Sequence, residues 1–397
     1  MNKIMKNTDK LVEFLHSNNP FKQLYDEGAT PEGIKDRIVS TLKPFFNNRN
    51  SLEKIAINLI VPDYINLNRL RGKYSRIDED IKIVLATYYD SISINSDLLY
   101  ETISELIPED IEAGNNFWTF VNLERDKSKL AFYEFVKESF ENIGDIIEGL
   151  MKIFIIENIA VNRIVRKKQV DISKIKSTKL GILFEELIQT SNYPHLFTTQ
   201  PDGIKFSVWR NIAAHKSYKI QSDLVLCQFD VSPNVKSISL SKPELFDRVN
   251  QIVRSLEVLN LSHKLFLFDN SDKFRPNRNK NHRETSCRDE IWLLFFITGV
   301  CSQGFEVINF DYETNGKALM IVKDLTERDP KLRGIHTSQF IYPIWLGTRA
   351  RDISVEYKLR NGKLYLKSNS NNKVCEKIYQ ELKPFEYLAE EVIYQFV

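Results

Sequence analysis

The sequence KLAFYEFVKESFENIGDIIEGLMKIFIIEN, residues 129–158, carries one regular apolar pattern over its whole length. Apolar side chains recur there at intervals of three and four residues, at Phe132, Phe135, Val136, Phe140, Ile143, Ile147, Leu150 and Phe154. Such spacing places them along one side of an α-helix, where neighbouring elements can bury them. The stretch therefore predicts a long core helix and, with it, a helical bundle.

The segments that follow predict the other members of this bundle. Helical patterns recur in LGILFEELIQTSN (180–192) and DGIKFSVWRNIAAHKSY (202–218), and residues 223–240 alternate like a short β-hairpin turning at Ser-Pro-Asn. A capping box of Ser241 and Glu244 then begins a long amphipathic helix. Residues 129–268 are therefore expected to form an antiparallel helical bundle with a small β-hairpin inserted before its last helix.

The flanking regions predict different architecture on each side of the bundle. Residues 1–128 contain helical patterns broken by turns, and TPEGIKDRIVSTLKPFF (30–46) has both a Thr cap and a first-turn proline. Residues 269–288 form a polar, basic linker. Residues 289–397 predict an α+β domain with a buried helix, two hairpins turning at Asn-Gly, and a closing helical stretch. The fold class expected is mainly α, in three parts.

Composition and charge exclude several classes of protein. The 397 residues include 55 Lys and Arg against 53 Asp and Glu, so no net charge draws the whole chain to nucleic acid. The four cysteines form no C-x-x-C pair, which argues against a zinc site or a disulfide framework. No apolar run approaches the ~20 residues of a membrane span. We expect a cytoplasmic protein with no membrane partner and no cofactor.

The clearest candidate site is WRNIAAHKSY, residues 209–218, which places Arg210, Asn211 and His215 on one predicted helix. Asn211 and His215 are four residues apart and share a face, so the amide is expected to hydrogen-bond the imidazole. Arg210 and His215 are five apart, about 140° around the helix. The guanidinium must therefore bend round, or a second copy of the helix must complete the site, which favours a homodimer.

These three residue types suit the cleavage of RNA without a metal. RNA supplies its own nucleophile, the 2′-hydroxyl, and an imidazole can exchange protons with the attacking and leaving oxygens near neutral pH. A guanidinium neutralises the phosphate and keeps its charge. The expected product carries a 2′,3′-cyclic phosphate.

The R-x4-H motif at the end of a third bundle helix, followed by a hairpin and a long last helix, resembles the HEPN superfamily over residues 129–268. The resemblance implies a metal-independent endoribonuclease site at a homodimer interface, with His215 as acid/base, Arg210 as phosphate ligand and Asn211 as orienting residue. It also implies a role in phage defence or as a toxin, with a regulatory protein or phage trigger as possible partner. Ser217 stands where one toxin subgroup carries a modified tyrosine, so control by that modification is not expected.

Weaker RNA contacts are predicted where basic residues interrupt helical periodicity. Lys216 adjoins the motif, the connector 163–179 is basic, and the linker adds further cations; the contacts are Lys167, Lys168, Lys216, Arg275, Arg278 and Lys280. A basic hairpin surface of Lys358, Arg360, Lys363, Tyr365 and Lys367 is a further possibility.

Two other functions remain open from the sequence. The bundle can be a non-catalytic dimerisation or RNA-binding module, in which Arg210 and His215 are structural. Alternatively, Glu356 and Lys358 share one face of a predicted strand and resemble the metal site of restriction-type nucleases, with Asp311, Asp324 or Asp329 supplying a further carboxylate.

Overall fold

The computed structural model describes residues 12, 16, 19–122, 130–231, 234–274, 288–313 and 316–397. The described part of the chain is mainly helical with two small sheets, one of three strands and one of five. It folds into two compact units. The bundle unit comprises residues 45–47 and 70–287, and the α/β unit comprises residues 1–44, 48–69 and 288–397.

The bundle unit contains seven α-helices among the described residues. In chain order they are α5 (Ile77–Asn122), α6 (Phe132–Gly144), α7 (Lys152–Val165), α8 (Ile172–Ser177), α9 (Leu180–Thr190), α10 (Phe206–His215) and α11 (Lys242–Asp269). A π-helical turn, Asp145–Met151, joins α6 to α7, and a 3₁₀ turn, Pro194–Phe197, precedes α10. Helix α5 is interrupted at Asn95, whose backbone is not helical.

The predicted core helix is confirmed. Residues 132–165 are continuously helical through α6, the π turn and α7, and the apolar stripe is buried except at Phe132, which is partly exposed. Helix α7 lies at the centre of the unit, packed against α5 and α9. Burial of so many side chains on one helix makes it the element around which the bundle assembles.

A three-stranded antiparallel sheet precedes the last helix, in the order β1 (Tyr218–Gln221), β2 (Leu224–Val231) and β3 (Asn234–Ser241). The pairing of β2 with β3 confirms the predicted hairpin, whose Ser-Pro turn lies outside the described residues. Strand β1 was not predicted, because its four residues continue directly from the helical pattern of α10. The capping box of Ser241 and Glu244 is present at the start of α11.

The connector 163–179, which its basic composition predicts to be exposed, is partly helical and partly buried. Asp171 caps the short helix α8 by accepting a hydrogen bond from the Lys174 backbone at 2.9 Å, and Ile172 and Ile175 are buried. These two apolar side chains anchor the short helix to the bundle. A helix of six residues is too short for a periodic apolar pattern to mark it in the sequence. Of the predicted linker, residues 275–287 lie outside the described residues.

The α/β unit contains helices from both ends of the chain. They are α1 (Lys22–Asp26), α2 (Pro31–Leu42), α3 (Arg49–Ile55), α12 (Asp289–Ser302), α13 (Pro330–Thr337), α14 (Ile341–Thr348), α15 (Asn372–Tyr379) and α16 (Tyr387–Glu391). Between the two units the chain runs through α4 (Val61–Lys73). A 3₁₀ turn, Lys43–Phe45, follows α2, and another, Ser338–Phe340, separates α13 from α14.

The five-stranded sheet has the order β4 (Phe305–Tyr312), β5 (Lys317–Asp324), β6 (Asp352–Lys358), β7 (Leu364–Asn371) and β8 (Ile393–Phe396). Neighbouring strands are antiparallel except β5 and β6, which are parallel and joined by α13 and α14. Both predicted Asn-Gly hairpins are confirmed, although Asn315 lies outside the described residues. The closing stretch was expected to be helical throughout, and its end is instead strand β8.

The two units divide the chain differently from the three parts suggested by the sequence. The Tyr25 hydroxyl donates to the Ser302 carbonyl at 2.6 Å, and the Ser302 hydroxyl donates to the Ile57 carbonyl at 2.9 Å. These two bonds, the first buried and the second partly buried, hold the first helices to α12. Helix α5, by contrast, packs on α7 and belongs with the bundle. Such long-range partners are not visible in local patterns.

Within the described residues, no helix is both long enough and apolar enough to cross a membrane.

Candidate active site on helix α10

Helix α10 is fixed by the side that faces the bundle. Phe206, Trp209 and Ile212 are buried, as the sequence predicts for two of them. The Trp209 indole donates to the Thr199 hydroxyl at 2.8 Å, and that hydroxyl donates to Asp202 at 2.7 Å. Both of these buried donors, the Trp209 indole and the Thr199 hydroxyl, have a partner, which gives the helix one defined orientation.

The same network reaches helix α11. Arg248 is buried and donates through Nε to the second oxygen of Asp202 at 2.8 Å. A continuous series of hydrogen bonds thereby connects helix α10 to the long last helix, through Trp209, Thr199, Asp202 and Arg248. The outer side of α10 is consequently presented on a rigid support.

Lys216 does not pack inward, contrary to the sequence-based expectation. It is exposed and takes the left-handed conformation, with φ 51°, that ends the helix after His215. Because the helix stops there, the Lys216 stem cannot follow the buried face, and the chain turns directly into β1.

Arg210 is held by two neighbours on the outer side of α10. Its Nε and Nη2 bind one carboxylate oxygen of Glu148, and its Nη1 donates to the Asn211 amide oxygen at 3.0 Å. Glu148 belongs to the π turn, which packs against α10. The arrangement is a half-exposed Arg–Glu–Asn cluster, with 35% of the Arg210 side chain and 48% of the Glu148 side chain accessible.

The predicted hydrogen bond from Asn211 to His215 is wrong. The amide oxygen of Asn211 instead accepts a hydrogen bond from the neighbouring Arg210 side chain. His215 is exposed at the end of the helix and has no hydrogen-bond or ion-pair partner among the described residues. The structure thus brings Arg210 and Asn211 together and leaves His215 apart from them.

Glu148 was missed by sequence analysis. It lies 62 positions before Arg210, and the helical pattern around it simply places it on the solvent side. Only the packing of the π turn against α10 brings the carboxylate to the guanidinium.

The predicted RNA contacts are partly described. Lys167, Lys168 and Lys216 are exposed, the first with a left-handed backbone after the end of α7. Arg275, Arg278 and Lys280 lie outside the described residues. Near Lys168, Glu186 is bound at 2.7 Å by Arg163, and this hydrogen bond lowers the pKa of the Glu186 carboxyl most, with Lys168 contributing to the same direction.

The alternative metal site on the five-stranded sheet does not assemble. Glu356 and Lys358 share the outer face, as predicted, but Glu356 pairs with Lys367 at 2.7 Å. Asp324 is buried on the opposite face, where it accepts from the Tyr357 hydroxyl at 2.8 Å. Because the carboxylate and the E-x-K residues lie on different sides of the sheet, they cannot share an ion.

The other two aspartates do not replace it. Asp329 caps α13 by accepting from the Leu332 backbone at 2.9 Å, and Asp311 lies on β4, two strands away from Glu356. No group of three or more His, Cys, Asp or Glu side chains in the described residues is placed to hold a metal ion.

The basic hairpin surface is also partly neutralised. Lys367 pairs with Glu356, and Arg360 lies 3.4 Å from Asp26 and 3.2 Å from Glu327. Paired cations have little charge left for a phosphate, so this surface is a weaker RNA candidate than its sequence indicated.

Sequence reasoning also missed a cluster around Asp80. The carboxylate is 1% exposed, lies 2.9 Å from His195 Nε2 through one oxygen and binds Arg254 through the other. Burial works against its ionisation, but the hydrogen bond from His195 and the charge of Arg254 outweigh burial and lower the pKa of Asp80. Its members come from three distant segments, so no local spacing marks them.

A second buried cluster joins three helices. The Glu157 carboxylate of α7 accepts from the Tyr88 hydroxyl of α5 and lies 2.9 Å from His263 Nδ1 of α11. His263 Nε2 in turn lies 3.4 Å from Asp110. Burial alone would lower the pKa of His263, but the two carboxylates raise it to about 10. Both clusters serve the packing of the bundle.

Comparison with known proteins adds no relative: no family model, no curated protein and no solved structure matches the chain.

Proposed function

We propose that this chain is a metal-independent endoribonuclease of the HEPN type, with its active site on the outer side of helix α10. One observation carries the proposal. An exposed imidazole that has no partner among the described residues, His215, lies on the same short helix as a guanidinium, Arg210, that is oriented by Glu148 and Asn211. The buried Trp209 network supports this helix from behind.

The proposed reaction uses the RNA 2′-hydroxyl as nucleophile. His215 accepts its proton as the 2′-oxygen attacks the adjacent phosphorus, and the bond to the 5′-oxygen breaks. The leaving oxygen takes up a proton from the imidazolium of a catalytic histidine. Arg210 stabilises the additional negative charge on the phosphoryl oxygens. The products are a 2′,3′-cyclic phosphate and a 5′-hydroxyl.

A homodimer accounts best for the separation of the two side chains. Arg210 is turned toward Glu148, while His215 lies about 140° further around the helix. If two copies of α10 face each other, the arginine and histidine of different copies can flank one phosphate. The proposed partners are therefore RNA and a second copy of this chain, in a defence or toxin role.

The test is RNA cleavage in EDTA. We would incubate the purified chain with bulk cellular RNA, including tRNA, beside His215→Ala, Arg210→Ala and the exposed control Lys219→Ala. We expect cyclic phosphate ends from wild type and from the control, and at least ~100-fold less cleavage by the two site variants. Cleavage that requires Mg²⁺ and is equal in His215→Ala would overturn the proposal.

A second function is favoured by the same contacts that hold Arg210. Because its guanidinium is ion-paired and Asn211 is bound to it, the described chain holds no complete Arg–Asn–His constellation. A non-catalytic dimerisation or RNA-binding module would have this appearance. RNA that is bound but never cut, together with a dimer in sedimentation analysis, would identify that role.

A further inference from the structure

A cavity of about 320 Å³ lies in the α/β unit, remote in sequence from helix α10. It is bounded by the start of α2, by Ile57, by the end of α12 and by the first turns of α13. Its lining residues are Pro31, Glu32, Ile57, Gln303, Arg328, Asp329, Leu332, Arg333 and His336. Two of them are arginines, and the inference depends on these two.

Arg333 is 7% exposed and rigidly held. Its Nε donates to Asp324 at 3.1 Å, its Nη2 donates to the Gln303 carbonyl at 2.9 Å, and its guanidinium lies 3.7 Å from the centre of the Phe305 ring. Gly304 makes this close approach possible, because a Cβ there would lie 3.2 Å from Nη2. The side chain is therefore fixed before any ligand arrives.

One nitrogen of this buried guanidinium, Nη1, has no hydrogen-bond partner among the residues that the structure describes. All hydrogen bonds of Arg333 within the described chain come from its Nε and Nη2 atoms. Nη1 is also absent from the set of fully buried polar atoms that lack a partner. Nη1 is therefore accessible from outside the protein, and Arg333 is one of the residues that line the cavity. A nine-tenths buried cation beside an open space, with two N–H groups that have no partner in the described chain, is suited to bind an oxyanion.

Arg328 provides a second guanidinium at the mouth of the cavity. Its Nη1 donates to one oxygen of Glu32 at 2.8 Å, and its Nη2 binds the other oxygen. The hydrogen bond from Arg328 lowers the pKa of Glu32 to about 2. Glu32 lies in the first turn of α2, where the helix end also favours negative charge. Its carboxylate thus occupies the position of an oxyanion.

The rest of the lining suits a ring rather than a bare ion. Pro31, Ile57 and Leu332 provide apolar walls. On another side lies His336, whose Nε2 is 2.9 Å from the Gln303 amide oxygen and 2.6 Å from the Gln339 amide nitrogen. Asp329 is occupied by its helix cap. The cavity volume of about 320 Å³ lies at the lower end of the range for small-molecule sites, ~300–1,000 Å³, which limits the occupant to one small ligand.

We propose that this cavity binds a mononucleotide, whose phosphate contacts Arg333 Nη1 and displaces Glu32 from Arg328, while the base lies between the apolar walls. A dianionic phosphate suits two guanidinium groups better than a carboxylate does. The site does not depend on the ribonuclease proposal, since it uses no residue of the bundle unit. Its occupant would make the α/β unit a ligand-binding unit.

Isothermal titration of the full chain with AMP, GMP, CMP and UMP tests the proposal, with adenosine and inorganic phosphate as partial ligands. We expect at least one mononucleotide to bind about tenfold tighter than either partial ligand. Glu32→Gln removes the competing carboxylate and tightens binding by about tenfold, whereas Arg328→Gln weakens it by a similar factor. Arg351→Gln, an exposed arginine of the same unit, leaves it unchanged.

Two results would overturn the inference. One is the absence of binding by every mononucleotide to both wild type and Glu32→Gln, with circular dichroism showing both folded. The other is binding that Arg328→Gln and Glu32→Gln leave at the wild-type affinity. Equal affinity for inorganic phosphate and for mononucleotides would reject the nucleotide and retain an anion site alone.

Discussion

Arg210 and His215 lie on one short helix in different surroundings. The guanidinium has two partners, whereas the imidazole has none in the described chain. Ion pairs this exposed contribute little to folding, with typical values below ~1 kcal/mol. The contact of Arg210 with Glu148 is therefore better understood as orientation of the guanidinium than as stabilisation of the bundle.

Replacing Glu148 separates these two roles. If Glu148 positions Arg210 for phosphate, Glu148→Gln should lower RNA cleavage in EDTA by about tenfold, because one charge-assisted contact is lost. The melting temperature should change by less than ~2 °C. Cleavage rates and differential scanning calorimetry measure the two effects. Glu148→Asp, which keeps the charge, should recover part of the activity, and an equally inactive Glu148→Asp would contradict positioning through charge.

At the scale of elements, the bundle is held by buried polar contacts as well as by its apolar stripe. Tyr88, Glu157 and His263 come from α5, α7 and α11, and their hydrogen bonds fix how these helices meet. Replacing one member leaves the others buried without partners, which is costly. Apolar burial alone does not specify the register of three helices to the same degree.

This cluster predicts how stability depends on pH. The pKa of His263 is about 10 in the folded chain, against 6.5 for an ordinary histidine. Between pH 6.5 and pH 10 the folded state holds one more proton than the unfolded state. The contribution of protonated His263 to the free energy of unfolding is therefore complete below pH 6.5 and is lost as the pH rises through 10. The free energy of unfolding should fall by up to ~1.4 kcal/mol per pH unit over this window.

Urea unfolding of wild type and His263→Gln at several values between pH 6.5 and 10 measures this slope. His263→Gln should be less stable at pH 6.5 and should lose most of the slope. A wild type and a variant with parallel profiles would show that His263 is not protonated in the folded chain.

Helix α14 requires a residue without a side chain at Gly347, because an aromatic ring occupies the space beside it. The Trp292 ring of α12 lies against Gly347, where a Cβ would approach the ring to 2.2 Å. Alanine is the better helix former by about 1 kcal/mol, but no ring can accept that distance. We expect Gly347→Ala to lower the free energy of unfolding by about 2 kcal/mol and to shift tryptophan emission. Gly114→Ala in α5, with nothing within 4 Å, should be neutral or stabilising.

At the scale of the whole molecule, local patterns indicated elements better than they indicated units. The stripe of Phe135 to Phe154, the capping box of Ser241 and the Asn-Gly hairpins follow from spacing within a few residues, and all were predictable. The partners of those elements depend on contacts across hundreds of residues, such as Tyr25 with Ser302. The candidate site shows the same limit, because Arg210 was visible in a motif and Glu148 was not.

Helix α5 belongs to the bundle unit, so the bundle is expected to need α5 in order to fold. A fragment of residues 129–274, the bundle expected from the sequence with a short extension, lacks the helix that covers α7 and supplies Tyr88 to Glu157. It also lacks Asp80, which binds His195 and Arg254. Exposed apolar surface and unpaired buried groups should leave this fragment without cooperative unfolding.

The fragment 70–274 restores both clusters and should unfold cooperatively, as judged by circular dichroism and calorimetry. Comparing the two separates the architecture seen here from the simpler sequence-based bundle, since they differ only by α5 and the residues around it. Cooperative unfolding of 129–274 with the stability of 70–274 would show that α5 is an attachment to the bundle. If fragment 129–274 does not unfold cooperatively while fragment 70–274 does, α5 is a core helix of the bundle. Helix α5 is then required for the fold in which α10 presents Arg210 and His215.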